Sequence, residues 1–339
     1  MSLNNRYDLK TAIVGAGFAA RCHVAALRSL GVPVVGIVGV AREHAAGLAS
    51  SCGAVAFDRL DDVIDKVDVV HICTPPTARL EFALTAIGAG KHVLIEKPMA
   101  FEIGHAEAIV QAARDAGVKL AVGFNHRFRP GFQKLKSIVH SGALGEVTSA
   151  FVYRYAVAGS SGTGNVWRQA AGSAIGMTIE SLAHDFEMLL ELVGDVVDVK
   201  ANVRGTLPDV PEFDNNADII MKLKSGGGAL IHASWSSLLS YGARGVIGTK
   251  GAAILSGPNL WDFDVLRVKT EDMAEEEVKA IGDIYEVHNN QSYVMENQHF
   301  FESIATGSAL EIDGAIGLKT LKISHAVLGA SRTNRTVTV

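Results

Sequence analysis

The apolar positions of the first 125 residues come in short unbroken runs, and the stretches between them carry helical spacing. "KTAIVGAG" is followed by "FAARCHVAALRSLG" and "PVVGIVGVA", so Lys10 to Ala41 reads as strand, glycine turn, helix, strand. β-prone residues in a row without polar alternation fit a parallel strand covered on both faces. The pattern continues with "DVVHICTPP" (68–76), a strand closed by Pro75 and Pro76, then the helix "ARLEFALTAIGAG" and the strand "KHVLIE". "GHAEAIVQAARDAG" and "VKLAVGFN" add another helix and strand. Strands separated by helices predict a doubly wound parallel sheet, whose ligands lie beyond the carboxyl ends of its strands.

After "RPGFQKLKSIVHSGALGEV", a linking helix and turn, the pattern changes to successive strands, expected at 147–155, 196–205, 216–224, 228–237, 243–256 and 260–269. "NADIIMKLKSGGGALIHASWS" reads as a hairpin around a glycine-rich turn. The expectation is an α/β chain: a Rossmann domain over 1–125 and an α+β domain over 126–339, with a mainly antiparallel sheet open on one face. At 339 residues the chain exceeds the usual size of one hydrophobic core, which agrees with two domains.

Composition narrows the partners. With 48% apolar residues and mean hydropathy +0.22 the chain reads as compact rather than disordered. Its 36 acidic and 31 basic residues leave a net charge of -5 with no basic tract, so nucleic acid is not expected as a partner. Cys22, Cys52 and Cys73 form neither an even framework nor a CxxC pair, which points to a reducing compartment and no structural zinc. No apolar run approaches the roughly 18 residues of a membrane span. A cytoplasmic protein is expected.

Gly15, Gly17 and Ala20 form a GxGxxA turn between strand and helix. Gly15 permits the tight turn, Gly17 lets backbone approach a pyrophosphate, and Ala20 is small enough for close helix packing. Phe18, Ala19 and Ala20 open a helix whose N-terminus then faces the phosphates. The place after the second strand where NAD-binding folds carry an acid falls on Gly39, with Arg42 in the same loop. A missing carboxylate and a nearby guanidinium favour NADP(H) over NAD(H), although Arg42 also fits a solvated helix start. The run "HVLIEKPMA" (92–100) stops abruptly at Glu96, Lys97 and Pro98, where such a sheet binds its cofactor. Thr74, Pro75, Pro76 and Asn125 sit at neighbouring strand ends. Lys97 also fits a strand-end ion pair with Glu96.

In the second half, "TIESLAHDFEMLLELVG" reads as one helix starting near Ile179, with Glu180, His184 and Glu187 on one face and Leu182, Phe186, Leu189, Leu190 and Val193 as its apolar stripe. On spacing alone Glu180 and Glu187 also fit a solvated face with His184 between them. HExxH is absent and no third ligand is evident, so no metal is expected.

Taken in order, the Gly15 fingerprint, "CTPP", "EKP" at 96–98 and "GFNHRF" at 123–128 resemble the Gfo/Idh/MocA family of NAD(P)-dependent oxidoreductases, over nearly the whole chain. The resemblance implies that Lys97 is catalytic, that Pro98 follows a cis peptide, and that Glu180 and His184 occupy the family's acid and histidine positions. It also implies dimer or tetramer assembly through the open sheet face. Two departures stand out: glutamate rather than aspartate at 180, and "GSA" at 172–174 in place of a glycine-rich lead. The implied chemistry is hydride transfer between nicotinamide and a polyol or keto-sugar, with Lys97 as acid/base, His184 as relay and Glu180 fixing its tautomer. His126, Arg127, Trp167, Arg168 and Tyr241 are candidates to line the substrate pocket. Two other functions stay open on the same fold: an NAD-dependent glycosidase and a non-catalytic, cofactor-sensing regulator.

Overall fold

The computed structural model describes residues 7–39, 42–157, 176–207, 212–259, 262–263, 265–279 and 291–339. The first part of the chain alternates strands and helices: β1 (Thr11–Val14), α1 (Phe18–Ser29), β2 (Val34–Val38), α2 (Arg42–Cys52), β3 (Val55–Phe57), β4 (Val69–Ile72), α3 (Arg79–Gly88), β5 (His92–Glu96), α4 (Ile103–Ala116) and β6 (Leu120–Gly123). Every strand pairing here is parallel, in the order β3-β2-β1-β4-β5-β6. All residues of β1 and β4 are buried, which is why those segments show no polar alternation. The chain reverses its direction of travel across the sheet between β1 and β4, the switch point where an open parallel sheet forms its ligand crevice.

The next part builds a second sheet: α5 (Pro130–His140), β7 (Val147–Val157), α6 (Met177–Glu180), α7 (Ala183–Val193), β8 (Val196–Arg204), β9 (Asn216–Leu223), β10 (Gly228–Ser234), β11 (Ser236–Gly248), β12 (Gly251–Gly257), β13 (Val265–Thr270) and β14 (Met273–Lys279). Then come α8 (Gln291–Thr306), α9 (Gly314–Thr333) and β15 (Val337–Thr338). The sheet runs β14-β13-β12-β11-β7-β10-β9-β8-β15 and is antiparallel except where β10 pairs with β7. Two expectations change here. The run 243–256 is two strands, because the "GTKG" turn folds Thr249 and Lys250 back: a Cβ at Gly248 would lie 2.1 Å from the Leu144 carbonyl oxygen. The single helix from Ile179 is two helices, α6 and α7, interrupted at Ser181 and Leu182.

The chain divides into two compact units, Met1–Phe128 with Glu286–Leu321, and Arg129–Tyr285 with Lys322–Val339. This corrects the expected boundary, because α8 and the start of α9 belong with the parallel sheet. Phe300 and Phe301 of α8 are buried beside His71 of β4, and Tyr293 sits edge-on to His23 of α1. Gly314 and Gly317 of α9 lie against Leu120 and Val122, where a Cβ would clash at 2.6 Å.

In the second unit the register of β7 sorts its side chains. Val152 and Arg154 are buried toward the helix-covered core, which also holds Phe132, Phe186 and Trp235. Phe151, Tyr153 and Tyr155 stand on the other face, over Gly245, Ala243 and Tyr241 of β11. A Cβ at Gly245 would meet the Phe151 ring at 2.3 Å, so this aromatic row depends on small neighbours. Ile220, Leu230 and Ile247 are also exposed. Among the described residues no helix is long and apolar enough to cross a membrane.

Arg154 brings a charge into this core, and Asp185 at the start of α7 answers it. Arg154 Nη1 donates to Asp185 Oδ2 at 2.5 Å and to the Ser181 carbonyl at 3.1 Å, while Arg244 Nη2 donates to Asp185 Oδ1 at 2.7 Å. Burial pushes the Asp185 carboxyl up, but the two guanidinium groups outweigh it and hold it below the ordinary carboxylate range. Burial lowers Arg244 to about 10. Removing the shared partner of two buried cations strands both. Asp185→Asn is therefore expected to cost about 3–5 kcal/mol in denaturant unfolding, whereas an exposed pair such as Lys250 with Glu271 is worth less than about 1 kcal/mol.

Candidate functional site

The glycine turn lies between the ends of β1, β2 and β4. Gly15 donates its N–H to the Val38 carbonyl at 2.7 Å and adopts a φ of +108°. A Cβ there would lie 2.9 Å from the Cys73 carbonyl oxygen, so sterics and φ both require glycine. Gly17 has a different reason: nothing lies within 4 Å of a Cβ built on it. The space before Gly17 is open, and it caps α1 with no side-chain cap and no acid in the first turn. Phe18 is exposed, Ala19 half-buried and Ala20 fully buried against the sheet.

Thr74, just past β4, has a buried hydroxyl with no hydrogen-bond partner, and Pro75 and Pro76 follow in a turn that leads into α3. A wanting hydroxyl, an open glycine and an uncapped helix start at one edge fit a dinucleotide whose phosphates take backbone N–H bonds. Gly39 directly follows β2, as expected, and Arg42 opens α2. The side chain of Arg42 lies outside the described residues.

At the end of β5, Glu96 is buried, Lys97 is half-buried and the Lys97–Pro98 peptide is cis. The Glu96 carboxylate accepts the backbone N–H of Lys97 at 3.1 Å and reaches His23 Nε2 at 3.2 Å. His23 Nδ1 lies 3.0 Å from Asn297 Nδ2, which also donates to the Tyr293 carbonyl at 2.8 Å. That carbonyl only accepts, so it fixes the Asn297 amide. The Asn297 oxygen then takes a bond from His71 Nε2 at 2.7 Å, and His23 Nδ1 must accept, which places the His23 ring proton on Nε2 facing Glu96. The chain from His71 through Asn297 and His23 thus has one direction of donation and ends on the Glu96 carboxylate, which also accepts the Lys97 amide.

The remaining strand-end candidates are tied up internally. Asn125 Nδ2 donates to Ser292 Oγ at 2.9 Å, and Arg127 Nη1 pairs with Glu311 at 3.2 Å. His126 is buried in the same turn.

In the second unit, Glu180, His184 and Glu187 are all buried, so the solvated-face alternative does not hold. Asp214 caps α6: its carboxylate accepts Thr178 N–H at 2.8 Å and Thr178 Oγ1–H at 2.6 Å. A Cβ at Gly176 would lie 1.9 Å from Asp214 Oδ1. Burial raises the Asp214 carboxyl, with the Thr178 bonds opposing. Arg154 on the Ser181 carbonyl and Asp185 in the first turn of α7 hold the break between Glu180 and His184. Tyr241 is not brought to this group. It pairs in register with Tyr155 on the aromatic face of the sheet, opposite the face that α7 covers. Trp167 and Arg168 lie outside the described residues.

Sequence reading missed Asp185, Asp214, Arg79, His23 and Asn297. A usable signal was present for Asp185: Arg154 and Arg244 interrupt the apolar runs "FVYRYAV" and "GARGVIG", and an inward charge on a strand needs a partner.

A parallel sheet with an open phosphate turn at its switch point defines the first unit as a Rossmann nucleotide-binding domain. Residues 9–124 match the model of an oxidoreductase family with an NAD-binding Rossmann fold, and residues 132–254 match the GFO/IDH/MocA C-terminal domain. The chain belongs to the Gfo/Idh/MocA family of oxidoreductases. It is 26% identical to the inositol 2-dehydrogenase of Rhizobium meliloti, over 96% of this chain and 98% of that one. It is also 26% identical to a scyllo-inositol 2-dehydrogenase (NADP(+)) of Bacillus subtilis, over 80% and 78%. A levoglucosan dehydrogenase solved with NADH and levoglucosan shares the fold, with a TM-score of 0.88, 22% identity and coverage of 98% and 99%.

Two predictions follow from the geometry. Gly17→Ala is expected to leave the melting temperature nearly unchanged while weakening dinucleotide binding at least about tenfold. Gly15→Ala, which has no room, is expected to lower both; parallel melts and nicotinamide-fluorescence titrations separate the two. Burial, then the electrostatics of the neighbouring His23 ring, lower His71 well below 6.5, with the Asn297 bond opposing. A group depressed in the folded state contributes full stability above its unfolded value, and loses it as pH falls toward its folded value. Melting temperature is therefore expected to drop from pH 6.5 downward, with a shallower slope in His71→Gln.

Proposed function

We propose that the chain is a dehydrogenase or reductase that transfers a hydride between a nicotinamide dinucleotide and a carbinol or carbonyl carbon of a sugar, cyclitol or related compound. The observation that carries this reading is Lys97, a half-buried lysine whose own backbone N–H is held by a buried carboxylate at a Rossmann strand end. The nicotinamide, when bound, supplies the hydride acceptor or donor. Lys97 handles the proton: Nζ takes it from the alcohol oxygen in oxidation, or donates to the carbonyl oxygen in reduction. His184, on the helix whose start Asp185 anchors, serves as relay, and Glu180 fixes its tautomer. Gly15, Gly17 and the start of α1 receive the pyrophosphate, with Thr74 and Pro75 lining the same edge.

NADP(H) is the favoured cofactor, with NAD(H) possible. Gly39 leaves no carboxylate after β2 to hold a ribose 2′-hydroxyl, and Arg42 opens the helix that follows. Kinship with an NADP(+)-dependent inositol dehydrogenase supports the same choice. The polyol specificities of relatives support a polyol or keto-sugar substrate. The half-buried aromatic row of Phe151, Tyr153 and Tyr155, with the exposed Ile220, Leu230, Tyr241 and Ile247, supports self-association through the second sheet, as a homodimer or homotetramer.

The first experiment is a fluorescence titration with NADPH and NADH. NADPH is expected to bind at least about tenfold more tightly, with Arg42→Ala removing most of that difference; equal affinities would end the phosphate argument. With the preferred cofactor and a polyol panel, Lys97→Ala is expected to lower kcat by about 10²–10⁴-fold while the dinucleotide Kd stays within about threefold. Retained turnover would remove Lys97 from the chemistry.

A further inference from the structure

We infer that Arg79 is a positioning residue for Lys97, an inference that rests on the proton-handling role proposed for that lysine. Arg79 is the first residue of α3 and is 5% exposed. Its Nε donates to the Thr74 carbonyl at 2.8 Å, and its Nη1 donates to the carbonyls of Glu96 and Pro98. These last two carbonyls flank Lys97 on either side. The N–H of Lys97 is held in turn by the Glu96 carboxylate.

The backbone around Lys97 is thereby gripped from both directions by side chains. Holding the Glu96–Lys97 peptide on one side and the Pro98 carbonyl, one peptide further along, on the other restricts the Cα–Cβ direction of Lys97, so that its own torsions chiefly place Nζ. The third contact, to Thr74, ties the same guanidinium to the end of β4, beside the glycine turn. One planar group therefore registers the candidate base against the edge where the dinucleotide phosphates are proposed to sit. A rigid fork with donors in fixed directions can span carbonyls from two strand ends, whereas a compact ammonium on a flexible stem cannot. Misplacing a reacting group by about 1 Å can cost on the order of a hundredfold in rate, while leaving binding nearly untouched.

The test compares wild type, Arg79→Met, Arg79→Lys and Lys97→Ala. Acetylation of Lys97 by limiting acetic anhydride is followed by peptide mass spectrometry in the free protein, across pH, against exposed Lys250 as internal standard. Both Arg79 variants are expected to change the Lys97/Lys250 labelling ratio and its pH profile at least about threefold. They are also expected to lower kcat about 10–100-fold, with KM and dinucleotide Kd within about threefold. If Arg79→Met does not fold, Arg79→Lys, which keeps the buried charge, decides alone. An unchanged labelling profile together with unchanged kcat, in a background where Lys97→Ala is inactive, overturns the positioning role. If Lys97→Ala keeps its turnover, the catalytic reading of Lys97 fails, and the labelling ratio still decides whether Arg79 places this lysine.

Discussion

A charge placed inside a protein must be met by a partner, and in this chain those partners decide where the candidate catalytic groups stand. The unit around the parallel sheet depends on Glu96. Its carboxylate is buried at the end of β5, where desolvation disfavours it unless hydrogen bonds compensate. His23 from α1 and the Lys97 amide supply those bonds, and Asn297 from α8 orients His23. This is why α8, late in the chain, belongs with the first unit. Its polar face completes a network begun 274 residues earlier, while its aromatic face packs on His71.

The second unit repeats the device with different chemistry. Asp185 is the shared partner of Arg154 and Arg244, and it directly follows His184 in the chain. Arg154 also takes the Ser181 carbonyl, which a continuous helix would have used for its own ladder, so the helix restarts at Ala183. In both units a residue proposed to carry a proton is the sequence neighbour of a buried carboxylate engaged with side chains of distant elements. In each case the neighbour's carboxylate helps fix the backbone from which the functional side chain projects.

This arrangement explains what could be read from the chain and what could not. Unbroken apolar runs and a glycine turn announce a covered parallel sheet, since both are local consequences of burial and φ; hence the Rossmann unit, the turn at Gly15 and the strand-end place of Lys97 were legible. The break between α6 and α7 was not, because its causes lie in Arg154, 27 residues upstream of Ser181, and in the Asp214 cap. Periodicity reports which faces are apolar and is silent on which side chain will compete for a carbonyl. Tyr241 shows the same limit: it fell between the expected strands 228–237 and 243–256, whereas β11 includes it and cross-strand pairing with Tyr155 puts it on the aromatic face.

Anchoring a functional residue through its neighbour has a physical advantage over anchoring it directly. Here the bonds to Glu96, and those of Arg79 to the flanking carbonyls, use backbone atoms whose charge does not change when Nζ gains or loses a proton. Those backbone bonds are therefore insensitive to the protonation state of Nζ. Next to His184, Asp185 is likewise engaged by side chains of other elements, Arg154 and Arg244. Electrostatic preorganisation of this kind is set up in folding and needs no rearrangement at the moment of proton transfer.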